Sequence, residues 1–375
     1  MRSFKVLFVL ILISLFSFKS YAQIPLSEKA NITLLTCGSG NELYSVFGHT
    51  AIRVVDPATN TDTVYNFGTF DFSTPNFYLK FVKGDLQYFV SVSSYEDFVT
   101  QYVYYNRDVF EQVLNLTQAQ KQQISNELST SLLSDKRFYT YKFIDRNCTT
   151  MVSDIISKYA GKISLENSDA GKTYREIIYS YLKDGHFYEN LGIHLMFGHK
   201  TDQVQSKLFL PKELMEGVSN TTTANGPLAQ PTITIYKQKK TDEGFSFWNS
   251  YYSFALVMII LLALSGKKII QVSFLTISGL LGILFCTMGF YSLHLELLLN
   301  YNALLLNPVA LLLLFFMLRG NSKWIIRTIY AYLAMVAVYI VAVISKPHFI
   351  IVLPIILVIT AILIRLLFKA RKSIA

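Results

Sequence analysis

The sequence has 375 residues, of which 52% are hydrophobic, and it carries a formal net charge of +9 at pH 7. This apolar content excludes an ordinary soluble protein of the same size and predicts membrane spans. The positive charge does not indicate a nucleic-acid partner, because the segment 23–246 has 21 basic and 24 acidic residues and the excess lies outside it.

The N-terminus has the pattern of a secretory signal. The stretch MRSFKVLFVLILISLFSFKSYA combines a basic start, a short apolar core and the small residues Ser20 and Ala22. We interpret residues 1–22 as a cleaved signal peptide, with an uncleaved anchor as the alternative. Residues 23–216 are then expected to form a domain outside the cytoplasm, and the polar residues 217–245, which contain Gly and Pro, a linker to the membrane.

Two stretches rich in β-branched and aromatic residues predict a β-hairpin. HTAIRVVD at 49–56 and TDTVYNFGTF at 61–70 flank PATN, which has the composition of a turn. If the turn is centred on residues 57–60, Ala51 pairs with Asn66 and His49 lies opposite Gly68. This register places His49 and Asn66 on the same face of the sheet, within diagonal reach of each other.

A helix is predicted to begin beside Cys148. In DRNCTTMV at 145–152 the cysteine precedes an apolar stripe in helical phase, and the helix is expected to end at Gly161. The positive end of a helix dipole lowers the pKa of a thiol, and free N–H groups there can bind an oxyanion. Cys148 therefore has a setting that suits a nucleophile, although most cysteines near helix starts are simply small apolar residues.

A cysteine nucleophile needs a base, and the base needs an orienting partner. His49 is the candidate base. Asn66 is the candidate partner of its imidazole, with Asp71 as the alternative. Tyr44 and Arg53 flank this site and could shape a polar pocket, but a core or surface role fits them equally well.

The sequence has only three cysteines, Cys37, Cys148 and Cys286, which are too few for a disulfide framework. Cys286 falls in a predicted membrane span. Cys37 could form a disulfide with Cys148, be a structural thiol or itself be the nucleophile. The helix start favours Cys148 as the nucleophile, because Cys37 has no such setting.

The last third of the chain predicts a transmembrane domain over residues 246–375. Its apolar segments are each close to the ~20 residues that cross a bilayer. They lie near 250–265, 270–291, 303–318, 324–345 and 349–368. The basic residues of the connections fall on one side of these five spans, apart from Lys346. By the positive-inside rule that side is cytoplasmic, so the C-terminus is expected in the cytoplasm and the preceding domain outside it.

Other polar residues give weaker signals. Residues 291–302, which are expected to connect two spans outside the cytoplasm, include His294 and Glu296. These could position a lipid head group or cap the spans, and the sequence leaves both roles open. No metal site is predicted, because His194 and His199 are five residues apart and the chain has no HExxH motif.

Three short motifs carry a family resemblance. FGHTAIRV, NFGTFDF and DRNCTT together resemble the circularly permuted branch of the NlpC-type papain-like fold, in which a strand histidine precedes a helix cysteine. NCTTMV is similar to the NCEHFV of the lecithin retinol acyltransferase group. More closely, the whole chain resembles the Lnb family of Bacteroidota, including LTCGSGNELYSVFGHTAIRV and the outer-loop segment HLELLLNYNALLLNP. The expected fold is an α+β permuted papain-like domain (NlpC/lecithin retinol acyltransferase-like), followed by an all-α bundle of about five transmembrane helices.

The Lnb resemblance implies a multi-pass lipoprotein N-acyltransferase of the bacterial inner membrane, with its N-terminal domain in the periplasm. It implies that Cys148 accepts an acyl chain from a phospholipid donor, that His49 is the base, and that the acceptor is the α-amino group of a diacylglyceryl-cysteine lipoprotein. The acyltransferase group often has a second histidine where this chain has Asn66. No cofactor is implied. A membrane-tethered NlpC-type cell-wall amidase or peptidase and a non-catalytic membrane scaffold are the alternatives.

Overall fold

The structure, a computed structural model, describes residues 25–239 and 244–373. The predicted signal peptide, residues 1–22, lies outside the described residues. Within residues 25–239, seven antiparallel strands form one sheet in the order β6-β4-β3-β2-β1-β5-β9. The strands of this sheet are β1 (Asn31–Cys37), β2 (His49–Asp56), β3 (Thr61–Thr69), β4 (Gln87–Ser94), β5 (Val109–Val113), β6 (Phe138–Thr140) and β9 (Ile233–Tyr236). A separate short pair is formed by β7 (Thr222–Thr223) and β8 (Gly226–Pro227).

Helices cover both faces of this sheet. They are α1 (Phe77–Lys83), α2 (Tyr95–Tyr104), α3 (Gln118–Leu133), α4 (Cys148–Ala160), α5 (Tyr174–Leu182), α6 (Phe187–Met196) and α7 (Pro211–Ser219). Ile52 and Val54 of β2 pack in the core that α3 and α4 cover, whereas Ala51 packs in the core that α2 covers. Since side chains alternate along a strand, the sheet has an apolar core on each face.

The predicted hairpin and helix are confirmed. A turn at 57–60 joins β2 to β3, and Ala51 pairs with Asn66. The helix begins at Cys148, and its C-cap is Gly161, with a φ of 98°. The turn and the helix start depend on residues that are adjacent in the sequence, so a local sequence pattern is enough to predict them.

The last strand of the sheet, β9, lies inside residues 217–245, which the sequence predicts to be a linker. β9 pairs with β5 at the edge of the sheet, opposite Phe110 and Glu111. The strand is short and largely exposed, so its sequence carries no strong apolar signal. Its position depends on the unpaired edge of β5, which a local pattern does not reveal. The sheet of the domain therefore extends into the predicted linker 217–245.

The C-terminal region is helical. Among the described residues, four segments are long and apolar enough to cross a membrane: Lys268–Tyr291, Leu295–Leu318, Ser322–Val343 and Phe349–Lys372. The first predicted span instead contains an apolar helix of 13 residues, α8 (Tyr251–Ala263), which is shorter than the ~20 residues of a full span. The predicted count of five spans is therefore not confirmed.

The remaining helices are α9 (Lys268–Tyr291), α10 (Val309–Leu318), α11 (Ser322–Val343) and α12 (Phe349–Lys372). Two 3-10 turns, Leu295–Leu297 and Tyr301–Leu304, precede α10. We call residues 292–308, which join α9 to α10, the outer loop.

The helix α8 extends from the N-terminal domain to the opposite side of the helical region, although it has only 13 residues. Near its start, the hydroxyl of Ser253 lies 3.0 Å from that of Tyr188 in the N-terminal domain. Just after its end, Gly266 lies against Arg365, far along α12. The start of α12 lies beside the domain, because Lys346, which precedes this helix, forms an ion pair with Asp202 of the domain. α8 therefore begins at the domain and ends at the opposite side of the bundle.

A buried polar cluster joins the domain to the ends of the helices. Nε of Arg175, a residue only 1% exposed, lies 2.6 Å from Oδ1 of Asp202, and Oδ2 of Asp202 lies 2.5 Å from Nζ of Lys346. Asn302 of the outer loop donates a hydrogen bond of 3.0 Å to the backbone oxygen of His194. We call these five residues the interface cluster. Buried charges with partners on both sides hold the two parts in one arrangement, since separating them would leave a charge unpaired.

Candidate active site

Cys148 is the first residue of α4, and Asn147 caps that helix. The side-chain oxygen of Asn147 accepts the N–H groups of Thr149 and Thr150 at 2.9 and 3.0 Å. The hydroxyl oxygen of Thr150 accepts the N–H of Asn147 at 2.8 Å. The sequence predicts several free N–H groups at this helix start for an oxyanion, but the cap uses two of them. In the first turn of α4, the N–H of Cys148 is therefore the group that can still donate a hydrogen bond to an oxyanion.

His49 opens β2 and is hydrogen-bonded to Asn66 on β3. Its Nε2 lies 2.9 Å from Oδ1 of Asn66, and the same oxygen accepts the N–H of Gly68 at 2.8 Å. Because a carboxamide oxygen only accepts, we assign the proton of the neutral imidazole to Nε2. The other ring nitrogen, Nδ1, then carries the lone pair that a general base requires.

The thiol of Cys148 ionises more easily than an ordinary thiol. Burial raises its pKa, but the charge of His49, a hydrogen bond with the His49 side chain and a hydrogen bond from the backbone N–H of Thr50 outweigh the burial. The pKa of Cys148 is therefore lowered from its usual value. This shift favours a thiolate beside an imidazolium, which is the reactive form of a cysteine nucleophile.

Two neighbours hold the imidazole of His49 in place. The ring of Tyr102, on α2, is stacked parallel to it, with centroids 6.3 Å apart and an interplanar angle of 7°. On another side lies Gly68, where an added Cβ would come within 2.4 Å of the imidazole Cε1. A side chain at this position would displace the ring, so the site requires glycine there.

Cys37 lies beside the site, but its thiol ionises less easily than an ordinary thiol. It pairs with His49 across β1 and β2 and is 1% exposed. Burial raises the pKa of Cys37, and the smaller effects of Arg107 and Tyr102 do not reverse this shift. Cys37 and Cys148 are both free thiols. The structure thus favours a structural thiol for Cys37 over the disulfide and the nucleophile that the sequence left open.

The other candidate residues have different positions. Tyr44 is 64% exposed and lines the cavity described below. Arg53 belongs to a separate network in which its Nε lies 2.7 Å from Asp62. Asp71 is exposed and its carboxylate accepts hydrogen bonds from Ser73. Arg53 thus bonds outside the cavity, in line with the core or surface role that the sequence left open. The carboxylate of Asp71 bonds Ser73, whereas Asn66 bonds His49.

Cys148 and His49 open into an apolar cavity of about 640 Å³. This volume lies in the range of small-molecule sites, ~300–1,000 Å³. Aromatic and aliphatic side chains of the domain form most of the wall, among them Phe70, Phe72, Phe77, Phe143, Met196 and Phe197. The outer loop adds His294, Glu296 and Leu297. The cavity is thus shared between the domain and the membrane region.

The helix α1 lies at this cavity and exposes apolar side chains. None of its residues is buried, and Tyr78 and Leu79 are 75% and 67% exposed. It contacts the end of α9, because the hydroxyl of Ser292 donates to the backbone oxygen of Val82 at 2.7 Å. Exposed apolar residues on a short helix beside a membrane span are typical of contact with a bilayer surface.

Several of these residues escape sequence reasoning. Tyr102 lies more than fifty positions from His49, on a helix with no motif, so no local signal identifies it. Gly68 could have been found, because the predicted hairpin register already places it opposite His49. Glu296 and His294 stood out as polar residues of the outer loop, but their place in the cavity depends on the packing of two distant regions.

The arrangement has the components that acyl transfer through a cysteine requires. It combines a thiolate-prone cysteine, a histidine with a free Nδ1, an asparagine that orients the ring and a helix N–H beside the sulfur. These are the components of a cysteine nucleophile that forms a thioester and releases it again. The apolar wall keeps water away from such an intermediate.

Comparison with known proteins agrees with the motifs. Residues 18–181 match the family model described as the Lnb N-terminal periplasmic domain, and the matched range includes His49, Asn66 and Cys148. The resemblance to this family is thereby confirmed. No curated protein and no solved structure matches the chain significantly.

Proposed function

We propose that this chain, whose residues 18–181 match the Lnb N-terminal periplasmic domain, is a membrane-bound lipoprotein N-acyltransferase. An acyl chain moves from a phospholipid, through a thioester on Cys148, to the α-amino group of a diacylglyceryl-cysteine. One observation carries the proposal: Cys148 and His49 open into an apolar cavity whose wall includes the outer loop. A long acyl chain fits such a wall better than a polar cell-wall peptide does.

The first step forms the thioester. The thiolate of Cys148 attacks the ester carbonyl of the phospholipid, a C–S bond forms, and the N–H of Cys148 donates to the resulting oxyanion. The ester C–O bond then breaks. The imidazolium of His49 gives its proton to the departing lysophospholipid oxygen. The products are an acyl-enzyme and a neutral His49.

The second step transfers the acyl group to nitrogen. The free α-amine of the acceptor attacks the thioester carbonyl, a C–N bond forms and the C–S bond breaks. His49 takes a proton from the attacking nitrogen, which restores the pair of thiolate and imidazolium. The product is an amide, which is more stable than the thioester from which it forms.

We place the domain in the periplasm and the far ends of the helices in the cytoplasm, across the inner membrane. Most basic residues of the helical region fall at those far ends, which agrees with the positive-inside rule. Lys346 lies on the domain side, where its charge is paired with Asp202. If α8 and the four apolar segments each cross the bilayer once, the C-terminus is cytoplasmic.

The test compares lipoprotein N-termini by mass spectrometry in cells whose only copy is wild type, Cys148→Ser or Cys37→Ala. At equal protein levels, the N-acyl chain should disappear with Cys148→Ser and remain with Cys37→Ala. Persistent N-acylation in the Cys148→Ser cells would overturn the thioester mechanism. An altered cell wall with unchanged lipoproteins would indicate the amidase alternative.

A further inference from the structure

The outer loop places a carboxylate in the wall of the catalytic cavity. Glu296 lies in the 3-10 turn Leu295–Leu297, is 0% exposed and lines the same cavity as Cys148. Neither of its carboxylate oxygens accepts a hydrogen bond from the described part of the chain. A buried carboxylate without such a bond is strongly unfavourable, so the site is suited to a ligand that supplies donors and positive charge.

His294 presents a second acceptor at the same place. Its Nε2 lies 2.9 Å from the backbone oxygen of Phe81, and because a carbonyl only accepts, the neutral ring carries its proton on Nε2. Its Nδ1 lies 3.2 Å from Oε1 of Glu296 without forming a hydrogen bond. When the ring is neutral, a lone pair and a carboxylate oxygen face each other, and no described group donates to either. When the ring is protonated on Nδ1, the two side chains form an ion pair.

The nearby ammonium group of Lys142 does not form a hydrogen bond with the carboxylate of Glu296. The charge of Lys142 interacts with Glu296, but its ammonium donates to the backbone oxygen of Gly84, and Lys142 does not line the cavity. The thiol and the carboxylate are both near Tyr141. Burial and Tyr88 raise the pKa of Tyr141, and the charges of Cys148 and Glu296 add to that effect.

The proposed reaction needs a second proton acceptor. An α-amino group with a pKa of ~7.7–8.0 is mostly an ammonium at neutral pH, and it must lose two protons to become an amide N–H. After the first step, His49 is neutral and can take only one of them. The other proton must leave before the nitrogen can attack, because an ammonium has no lone pair.

We propose that Glu296 and His294 form the subsite that binds the primary ammonium of the acceptor and removes its first proton. The inference rests on the proposed function. The ammonium donates to a carboxylate oxygen of Glu296 and to Nδ1 of His294, and one N–H proton passes to Nδ1. The free amine then attacks the thioester, and its second proton goes to His49. The head group of phosphatidylethanolamine has the same ammonium chemistry, so the test must separate donor from acceptor.

The experiment uses the full chain in vesicles of phosphatidylglycerol, which has no ammonium, with a labelled acyl chain. Acyl-enzyme formation is measured without acceptor, and transfer is measured in a single turnover with a diacylglyceryl-cysteinyl peptide. The variants are Glu296→Gln and His294→Gln. Glu213→Gln is the matched control, because Glu213 is equally buried, is bonded to Tyr181 and does not line the cavity.

We expect Glu296→Gln and His294→Gln to form the acyl-enzyme at the wild-type rate and to transfer it about 10-fold more slowly at pH 7, since only about one acceptor amine in ten is unprotonated there without help. The defect should shrink near pH 9, because the acceptor amine then loses its proton without help. Tyr141 and Lys142 also lie near the pair and titrate, but they are the same in both proteins. The ratio of the variant's transfer rate to the wild-type rate at each pH therefore reports the effect of the substitution alone. Glu213→Gln should match wild type in both steps.

Three results would overturn the subsite: wild-type transfer by Glu296→Gln at pH 7, an equal defect at both pH values, or loss of acyl-enzyme formation as well. If the variant is impaired only in acyl-enzyme formation from phosphatidylethanolamine vesicles, the ammonium belongs to the donor and the assignment to the acceptor fails. If the proposed function itself is wrong, the wild-type protein will form no acyl-enzyme on Cys148. This result is distinct from the three results that overturn the subsite alone.

Discussion

The side-chain oxygen of Asn66 lies 2.9 Å from Nε2 of His49 on the neighbouring strand. This contact fixes which ring nitrogen carries the proton and how the ring is oriented. Asn66→Ala should therefore lower the rate of acyl-enzyme formation by about 10²-fold, the cost of a misplaced catalytic group. The rate is measured by mass spectrometry of Cys148 after mixing with phospholipid vesicles. Asn66→Asp, which keeps an acceptor, should retain more activity, and equal rates for Ala and wild type would contradict the role.

Gly68 leaves just enough room for the imidazole. Gly68→Ala would place a Cβ 2.4 Å from Cε1 of His49 and 3.0 Å from its Nδ1, so the ring must move. We expect at least a roughly 10-fold loss of acyl-enzyme formation with the fold retained, as judged by expression and thermal unfolding. Gly244→Ala is the control, because an added Cβ there meets no atom within 4 Å. Full activity of Gly68→Ala would mean that the ring tolerates displacement.

The reactivity of Cys148 should depend on pH in a way that reveals its partner. A thiolate reacts and a thiol does not, so the alkylation rate rises with pH and levels off above the pKa. In the wild-type protein the inflection should lie below the usual thiol value, since His49 lowers the pKa of Cys148. His49→Gln removes that charge and keeps the burial, so the inflection should move to higher pH.

Iodoacetamide labelling of the Cys148 peptide, followed by mass spectrometry across a pH series, measures this shift. Cys37→Ala serves as the control and should leave the profile unchanged, because burial raises the pKa of Cys37 and keeps that thiol unreactive. An inflection that does not move in His49→Gln would show that the helix start alone acidifies the thiol.

The exposed apolar residues of α1 should matter only for substrates that reside in a bilayer. Leu79→Glu removes an apolar contact worth about 1.5–3 kcal/mol when fully buried in lipid, so acyl-enzyme formation from vesicles should fall by about 10-fold or more. A water-soluble short-chain thioester should still acylate Cys148 normally. Leu133→Glu, at a similarly exposed leucine on α3, is the control. Equal losses with both substrates would contradict a role in lipid access.

The sequence predicts those parts of the site that depend on short-range rules. The turn at 57–60 determines the register that brings Asn66 beside His49, and the segment around Asn147 determines where α4 begins. Both signals involve residues within one hairpin or one helical turn. The candidate nucleophile, base and orienting residue could therefore be named before the structure was known.

The remainder depends on contacts between distant segments. Tyr102 approaches His49 only because α2 packs on the second face of the sheet, and β9 finds its place only at the edge of β5. The position of Glu296 in the cavity requires the outer loop to rest against the domain. The carboxylate of Asp71, the alternative partner of His49, instead accepts hydrogen bonds from its neighbour Ser73.

The interface cluster has a consequence for how substrates reach the thiol. With Arg175 buried against Asp202, and Asp202 paired with Lys346, a movement of the domain away from the helix ends would leave a charge unpaired. We therefore expect Cys148 to keep one height above the membrane. In the proposed reaction, donor and acceptor would each diffuse sideways to it and rise out of their leaflet by the same distance. Turnover is then expected to follow lipid mobility and membrane thickness, which links the rate of this chemistry to the physical state of the membrane.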